Sequence, residues 1–152
     1  MQPAGAPPEV KPVDLSRYAD FVNNALEENV PCILVSADEN GHPDAALKGS
    51  MHVFDQDSLA WWERSRAEQI LQVEKNPHVL VFYRNPGKSI AQLRFYGEAK
   101  IHYEGDVREK VMAGTPEREL NQDPERKGFG VVITVNRVRL GRNTVQQREG
   151  TD

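Results

Sequence analysis

The chain has 152 residues, 28% charged and 38% hydrophobic, and 19 basic against 23 acidic side chains leave a net charge of −4. This length suits one domain with one core, and the balance of charge gives no reason to expect a nucleic-acid or membrane partner. The single cysteine, Cys32, excludes an intrachain disulfide and argues against a cysteine-based metal cluster, while the absence of a signal-like N-terminus or of a membrane-length apolar run points to a cytoplasmic protein.

Residues 1–12 carry four prolines and read as a mobile arm ahead of a domain over 13–140. Leu15, Tyr18, Phe21, Val22, Ala25 and Leu26 then recur at helical spacing, which predicts an amphipathic helix from Asp14 to near Asn29. Pro31 marks the change to strand. CILVSA (32–37) reads as a buried strand, and Asp38-Glu39-Asn40-Gly41 supplies a hairpin turn into a second strand over 44–54. Alternation there places Ala45, Leu47, Gly49, Met51 and Val53 on one face and Ala46, Lys48, Ser50 and His52 on the other. After a turn at 55–57, LAWWE (59–63) is a third strand whose adjacent Trp61 and Trp62 point to opposite faces. One of them is core, and the other is free for an interface or a ligand.

Ser65 followed by Glu68 has the form of a capping box, so a helix is expected over 65–75, ending before Asn76-Pro77. HVLVFY (78–83) is a fourth, nearly all-apolar strand, followed by a turn at Asn85-Pro86-Gly87-Lys88. Residues 90–103 alternate cleanly and exceed the usual strand length, so a bend is expected near Gly97. Residues 105–127 are polar, with short helical patterns around Val107–Met112 and Glu117–Leu120. FGVVITVNRVRL (129–140) is a sixth strand whose apolar phase slips near Asn136, the mark of a bulge, and 141–152 reads as a loose tail. Six strands in mostly hairpin order, with too few β-α-β alternations for a doubly wound sheet, predict a mainly β (α+β) fold: a six-stranded antiparallel split β-barrel with flanking helices.

Chemistry concentrates at the third-strand-to-helix junction. A helix start offers free amides and the positive end of the helix dipole. Arg64, Ser65 and Arg66 stand beside it and Lys48 lies on the preceding hairpin, a grouping suited to a dianionic phosphate. The same residues also read as a capped, solvated helix start, and both readings stand at this level. The four histidines are scattered without a metal-ligand spacing, and no nucleophile elbow or Cys–His arrangement is present. No catalytic side chain can be named.

The run from Pro43 through Lys48, the aromatic third strand, Ser65-Arg66 leading into Ala67-Glu68-Gln69-Ile70, Asn76-Pro77 before an apolar strand, and Gln92 five residues before Gly97 together resemble the pyridoxamine 5′-phosphate oxidase-like family of flavin-binding split barrels. The resemblance implies a homodimer with two FMN molecules in grooves between subunits, acting on a small-molecule substrate. By position it implies that Lys48, Ser65 and Arg66 hold the FMN phosphate with help from Arg64. It further implies that the backbone around Ala46, Gly49 and Ser50 runs beside the flavin ring, that Trp62 lies near ring or ribityl chain, and that Gln92 reaches the flavin across the interface. The chain departs from the biosynthetic oxidase in lacking an arginine a few residues before Lys48, a Ser-Arg-Pro-type loop in 104–128 and an Arg-rich C-terminal segment. Pyridoxal phosphate synthesis is therefore not expected. The expectation is an FMN-dependent oxidoreductase, with a non-catalytic flavin-, deazaflavin- or haem-binding or stress-response module on the same dimeric barrel as the alternative.

Overall fold

The structure, a computed structural model, describes residues 5, 6 and 8–151; of the arm expected over 1–12, residues 1–4 and 7 lie outside them. Leu15–Tyr18 form a 3₁₀ turn capped by the Asp14 carboxylate, which accepts from the Ser16 amide at 3.1 Å. It leads into α1, Ala19–Asn23. The expected helix to Asn29 is thus two short pieces followed by turns, the last of them closed by Asn29 at φ 61°. Asn23 and Asn24 are weak helix formers whose amides engage neighbouring groups. The apolar stripe is nevertheless used as expected, with Leu15, Tyr18, Val22 and Ala25 buried.

The strands are β1 (Cys32–Ala37), β2 (Pro43–Lys48), β3 (His52–Asp55), β4 (Ser58–Glu63), β5 (His78–Tyr83), β6 (Leu93–His102), β7 (Phe129–Leu140) and β8 (Asn143–Gln147), with α2 (Glu68–Lys75), α3 (Asp106–Gly114) and α4 (Glu117–Leu120) between them. They form one antiparallel sheet in the order β2-β1-β5-β6-β7-β4-β3, with β8 also paired to β7. The fold is the mainly β split barrel the sequence predicts, but with eight strands instead of six.

Two differences account for the count. The strand expected over 44–54 is cut at Gly49-Ser50, where the Met51 amide donates to the Lys48 carbonyl at 3.2 Å. β2 stays with β1, while β3 crosses to β4, so the chain passes between the two ends of the sheet. The Ser50 hydroxyl replaces lost ladder bonds, accepting from the Trp62 amide at 2.9 Å and donating to the Trp62 carbonyl at 3.1 Å. The second difference is the tail. Residues 143–147 pair with the second half of β7, and Lys11 joins this edge through bonds with Val145 and Gln147.

The register shift falls at the two expected places, Gly97 on β6 and Asn136 on β7. Tyr96 pairs with Arg137 and Gly97 with Val135, leaving Asn136 as the extra residue. The 12-residue β7 uses one edge twice, for β4 with its first half and β8 with its second. Burial follows the two faces of β4. Trp61 enters the main core with Leu59, Phe95 and Ile133, whereas Ala60 and Trp62 face a smaller core closed by Val111 of α3. At the C-terminal end of α3, Gly114 seats on the buried His52, whose imidazole burial holds below the ordinary histidine pKa. No helix among the described residues is long and apolar enough to cross a membrane.

Candidate functional site

The capping box does not form. α2 starts at Glu68 after an extended Ala67, and no side chain caps its first amides. The Arg66 guanidinium makes two 2.7 Å bonds to the Glu74 carboxylate, and the Tyr103 hydroxyl bonds the same carboxylate from the end of β6. Hydrogen bonds from Arg66, then from Tyr103, hold the Glu74 pKa down at about 2. Ser65 and Arg66 remain at the surface, outside any hollow that holds Lys48.

That hollow is a cavity of ≈ 280 Å³ between the β2–β3 turn, the end of β4 and α4. Lys48, Gly49, Ser50, Trp62 and Arg64 line it, so five of the nine sequence-derived site residues meet there. Ala46 lies further along β2, opposite Leu34, and Gln92 sits before β6 accepting from Arg94 at 3.2 Å; neither reaches the cavity. A larger hollow of ≈ 500 Å³ beside the 55–57 turn holds none of these residues, and its Arg148 is tied to Asp57 at 2.7 Å.

Two carboxylates that sequence reasoning missed change the character of the cavity. Glu63 receives the Lys48 ammonium at 2.8 Å and the Trp61 indole N–H at 2.9 Å on one oxygen, and the Lys48 and Glu63 side chains are each only 14% exposed. Glu119 of α4 lines the opposite wall. A charge closing an otherwise apolar strand was the available signal for Glu63. Glu119 carries no local signal in a polar stretch.

Trp62 is covered. Its indole N–H donates to Asp123 at 3.0 Å, and the Arg108 guanidinium lies 4.8 Å from its ring centre. Asp123 also accepts from the Lys127 and Gly128 amides at 3.0 and 2.8 Å, fastening 123–128 over the ring. Part of the polar segment is therefore a cover on Trp62, which is 5% exposed although it lines the cavity. Partial burial pushes the Asp123 pKa up, but the three hydrogen bonds outweigh it and the net shift is downward. Asp123→Ala strands the indole N–H and is expected to cost about 1–3 kcal/mol. Because the folded pKa lies below the unfolded one, the aspartate's contribution is complete above the ordinary carboxylate range and fades as pH falls through the folded value. The gap between wild type and variant in urea denaturation should therefore narrow with acid.

A second cationic feature was also missed. Arg94 and Arg139 face each other across β6 and β7, and Arg137 stacks 4.4 Å from the Tyr96 ring centre. The Arg139 guanidinium donates to the Tyr96 hydroxyl at 3.0 Å, and none of the three arginines has a carboxylate partner among the described residues.

The comparisons agree with this architecture. The family described as pyridoxamine 5′-phosphate oxidase matches residues 19–140. No curated protein matches the chain by sequence. Among solved structures, HupZ of Group A Streptococcus is 19% identical with a TM-score of 0.65, over 86% of this chain and 95% of its own. An FMN-binding protein of Syntrophomonas wolfei is 13% identical with a TM-score of 0.60, over 82% and 86%. HutZ, the heme storage protein of Vibrio cholerae, is 15% identical with a TM-score of 0.62, over 80% and 92%. At these identities the likeness establishes the fold, while the family match covers most of the chain: the protein belongs to the pyridoxamine 5′-phosphate oxidase family.

Proposed function

We propose that the chain binds FMN through its phosphate at the Lys48–Arg64 cavity and works as a small-molecule oxidoreductase, as a homodimer in the cytoplasm. The observation that carries this reading is the meeting of Lys48, Gly49, Ser50 and Arg64 on one cavity. Arg64 is exposed and has no ion-pair partner among the described residues, so its guanidinium is free for an anion. Lys48 and Arg66 fit the role less well, since each is committed to a carboxylate. The cavity is also smaller than the ~300–1,000 Å³ of typical ligand pockets, so it suits the phosphate end of the cofactor and leaves the ring to a surface outside it.

A dimer would supply that surface. Leu47, Ile33 and Phe82 form one cross-strand row and Ala45, Val35 and Leu80 the next, an apolar strip on the outer face of β2, β1 and β5. Leu47 in that strip is 65% exposed. Bound FMN would supply the hydride or electron chemistry, and the chain would supply phosphate anchoring, orientation and control of water.

A second reading, a flavin- or haem-holding module without turnover, is favoured by one observation. The cavity carboxylate Glu63 is locked in an ion pair, and Trp62 is covered, so neither is free to act on a substrate. The test is an absorption spectrum after FMN loading and gel filtration, followed by addition of NADH or NADPH and then oxygen. Retained flavin that is reduced and reoxidised supports the oxidoreductase, and retained flavin that stays oxidised supports the module. Arg64→Ala is expected to weaken FMN binding about ten-fold through loss of one charge-assisted contact. Unchanged affinity in that variant would place the phosphate elsewhere.

A further inference from the structure

Glycine at position 49 has a specific consequence for this cavity. A Cβ there would lie 2.1 Å from Glu119 Oε1 and 2.9 Å from its Cδ. The missing side chain is what lets the carboxylate settle against the backbone of the β2–β3 turn. Any larger residue would turn the Glu119 carboxylate aside. The position is electrostatically pointed, because the same cavity wall carries Lys48 and Arg64. Two cations therefore face two carboxylates.

The carboxylates differ in how firmly they are held. Glu63 is fixed by Lys48 and Trp61 in a nearly closed setting. Glu119 forms no ion pair among the described residues and rides on a four-residue helix, and turns follow it at 121–124. An α-helix this short has little stability of its own. Its attachment to the body runs through Leu120 in the smaller core and through Arg126, which donates to the Leu120 carbonyl. An anion entering the cavity meets one carboxylate that cannot leave and one that can.

We propose that Glu119 is a displaceable plug: its carboxylate occupies the place beside Gly49 that a ligand phosphate takes, and the Glu119 side chain must turn out for the ligand to seat. This rests on the reading that the cavity receives a phosphate. The plug selects by charge. A phosphate monoester offers Arg64 a charged partner, which the Glu119 carboxylate does not supply, whereas a neutral ligand of the same shape offers none.

The experiment measures binding of FMN and of riboflavin, which lacks the phosphate, to wild type, Glu119→Gln and Arg64→Ala, by quenching of flavin fluorescence at low and at high salt. Glu119 is only half-buried, so the isosteric glutamine variant should keep the wild-type melting temperature. The expected result is FMN binding at least about five-fold tighter in Glu119→Gln, with riboflavin affinity little changed and the gain shrinking at high salt. FMN affinity that is unchanged or weaker in Glu119→Gln overturns the plug. If Arg64→Ala still weakens FMN in that case, the phosphate site itself stands. Equal gains for FMN and riboflavin also overturn it, since they describe a steric block with no charge selection. No FMN binding by any of the three proteins removes both the phosphate site and the plug.

Discussion

Glu63→Ala is expected to destabilise the protein by about 3–5 kcal/mol, because it breaks a nearly buried ion pair from one side. The Lys48 ammonium, 14% exposed and 2.8 Å from the lost carboxylate, is left without its partner. The Trp61 indole N–H loses its acceptor at the same time, and Trp61 is fully buried in the main core. An attraction between isolated surface charges would be worth ~0–1 kcal/mol; here the cost comes from stranding groups already withdrawn from water. The pair as a whole is a different matter. Removing both charges while keeping an acceptor for the indole, as in Lys48→Met with Glu63→Gln, should recover most of the stability, since a buried pair gains little net over an apolar replacement of similar size. Urea denaturation of the two single variants and the double variant forms the cycle that checks this. A double variant no more stable than Glu63→Ala would show that the charged pair itself carries the stability, and that the cost does not come from stranding its partners.

This expectation bears on function. A lysine whose nearest anion is a carboxylate of its own chain is already satisfied, so a ligand phosphate gains from it only by sharing it. Arg64, exposed and unpaired, is the cation with most to gain. The arrangement also explains why the two charged positions most legible in the sequence, Lys48 and Arg66, are the two that hold the fold together at this end. Arg66 ties the start of α2 to Glu74 near its end, and Tyr103 ties the same carboxylate to β6.

The strands were legible because burial writes alternation into them. CILVSA, HVLVFY and FGVVITVNRVRL occupy β1, β5 and β7 at the expected bounds. The slip at Asn136 was visible as a change of phase because a bulge moves every later side chain to the other face. The break between β2 and β3 was not legible, since the alternation runs through Gly49 and Ser50 without a proline. What cuts the strand is the Ser50 hydroxyl standing in for ladder bonds with β4, a partner twelve residues away. β8 was missed because Asn-Thr-Val-Gln-Gln has little apolar pattern of its own and is a strand through its pairing with β7. The capping box of Ser65 and Glu68 did not form because the helix starts three residues late, at Glu68, so the two residues do not stand at N-cap and N3. In the cavity, the residues near one another in sequence could be grouped by spacing. Glu119 could not, because only the fold brings α4 over Gly49.

Gly97→Ala is expected to be the most damaging of the small substitutions, at roughly 4 kcal/mol or more, a size reserved for backbone or core clashes that cannot relax. The added Cβ would stand 2.2 Å from the Thr134 carbonyl oxygen, 2.9 Å from its carbonyl carbon and 2.9 Å from Ile133 Cγ2. A flexible side chain in that place would turn aside, as Glu119 can at Gly49. The Thr134 carbonyl cannot, because Thr134 is paired on both sides, with Glu98 of β6 and Ser58 of β4. Ile133 is fully buried in the main core and has nowhere to go. Gly97 also sits where the register shifts past Asn136, a bulge that bends the strand carrying it and leaves the two backbones in close approach. Relief therefore requires β6 and β7 to part at the bulge, the most extensive strand pairing in the sheet. Thermal melting followed by circular dichroism should show either a large fall in midpoint or no folded protein in the variant. Val135→Ala, a cavity in the same core, gives the scale, at about 1–3 kcal/mol. A Gly97→Ala protein that melts within a few degrees of wild type would mean that the bend, and the close approach of the two strands with it, is absent in solution.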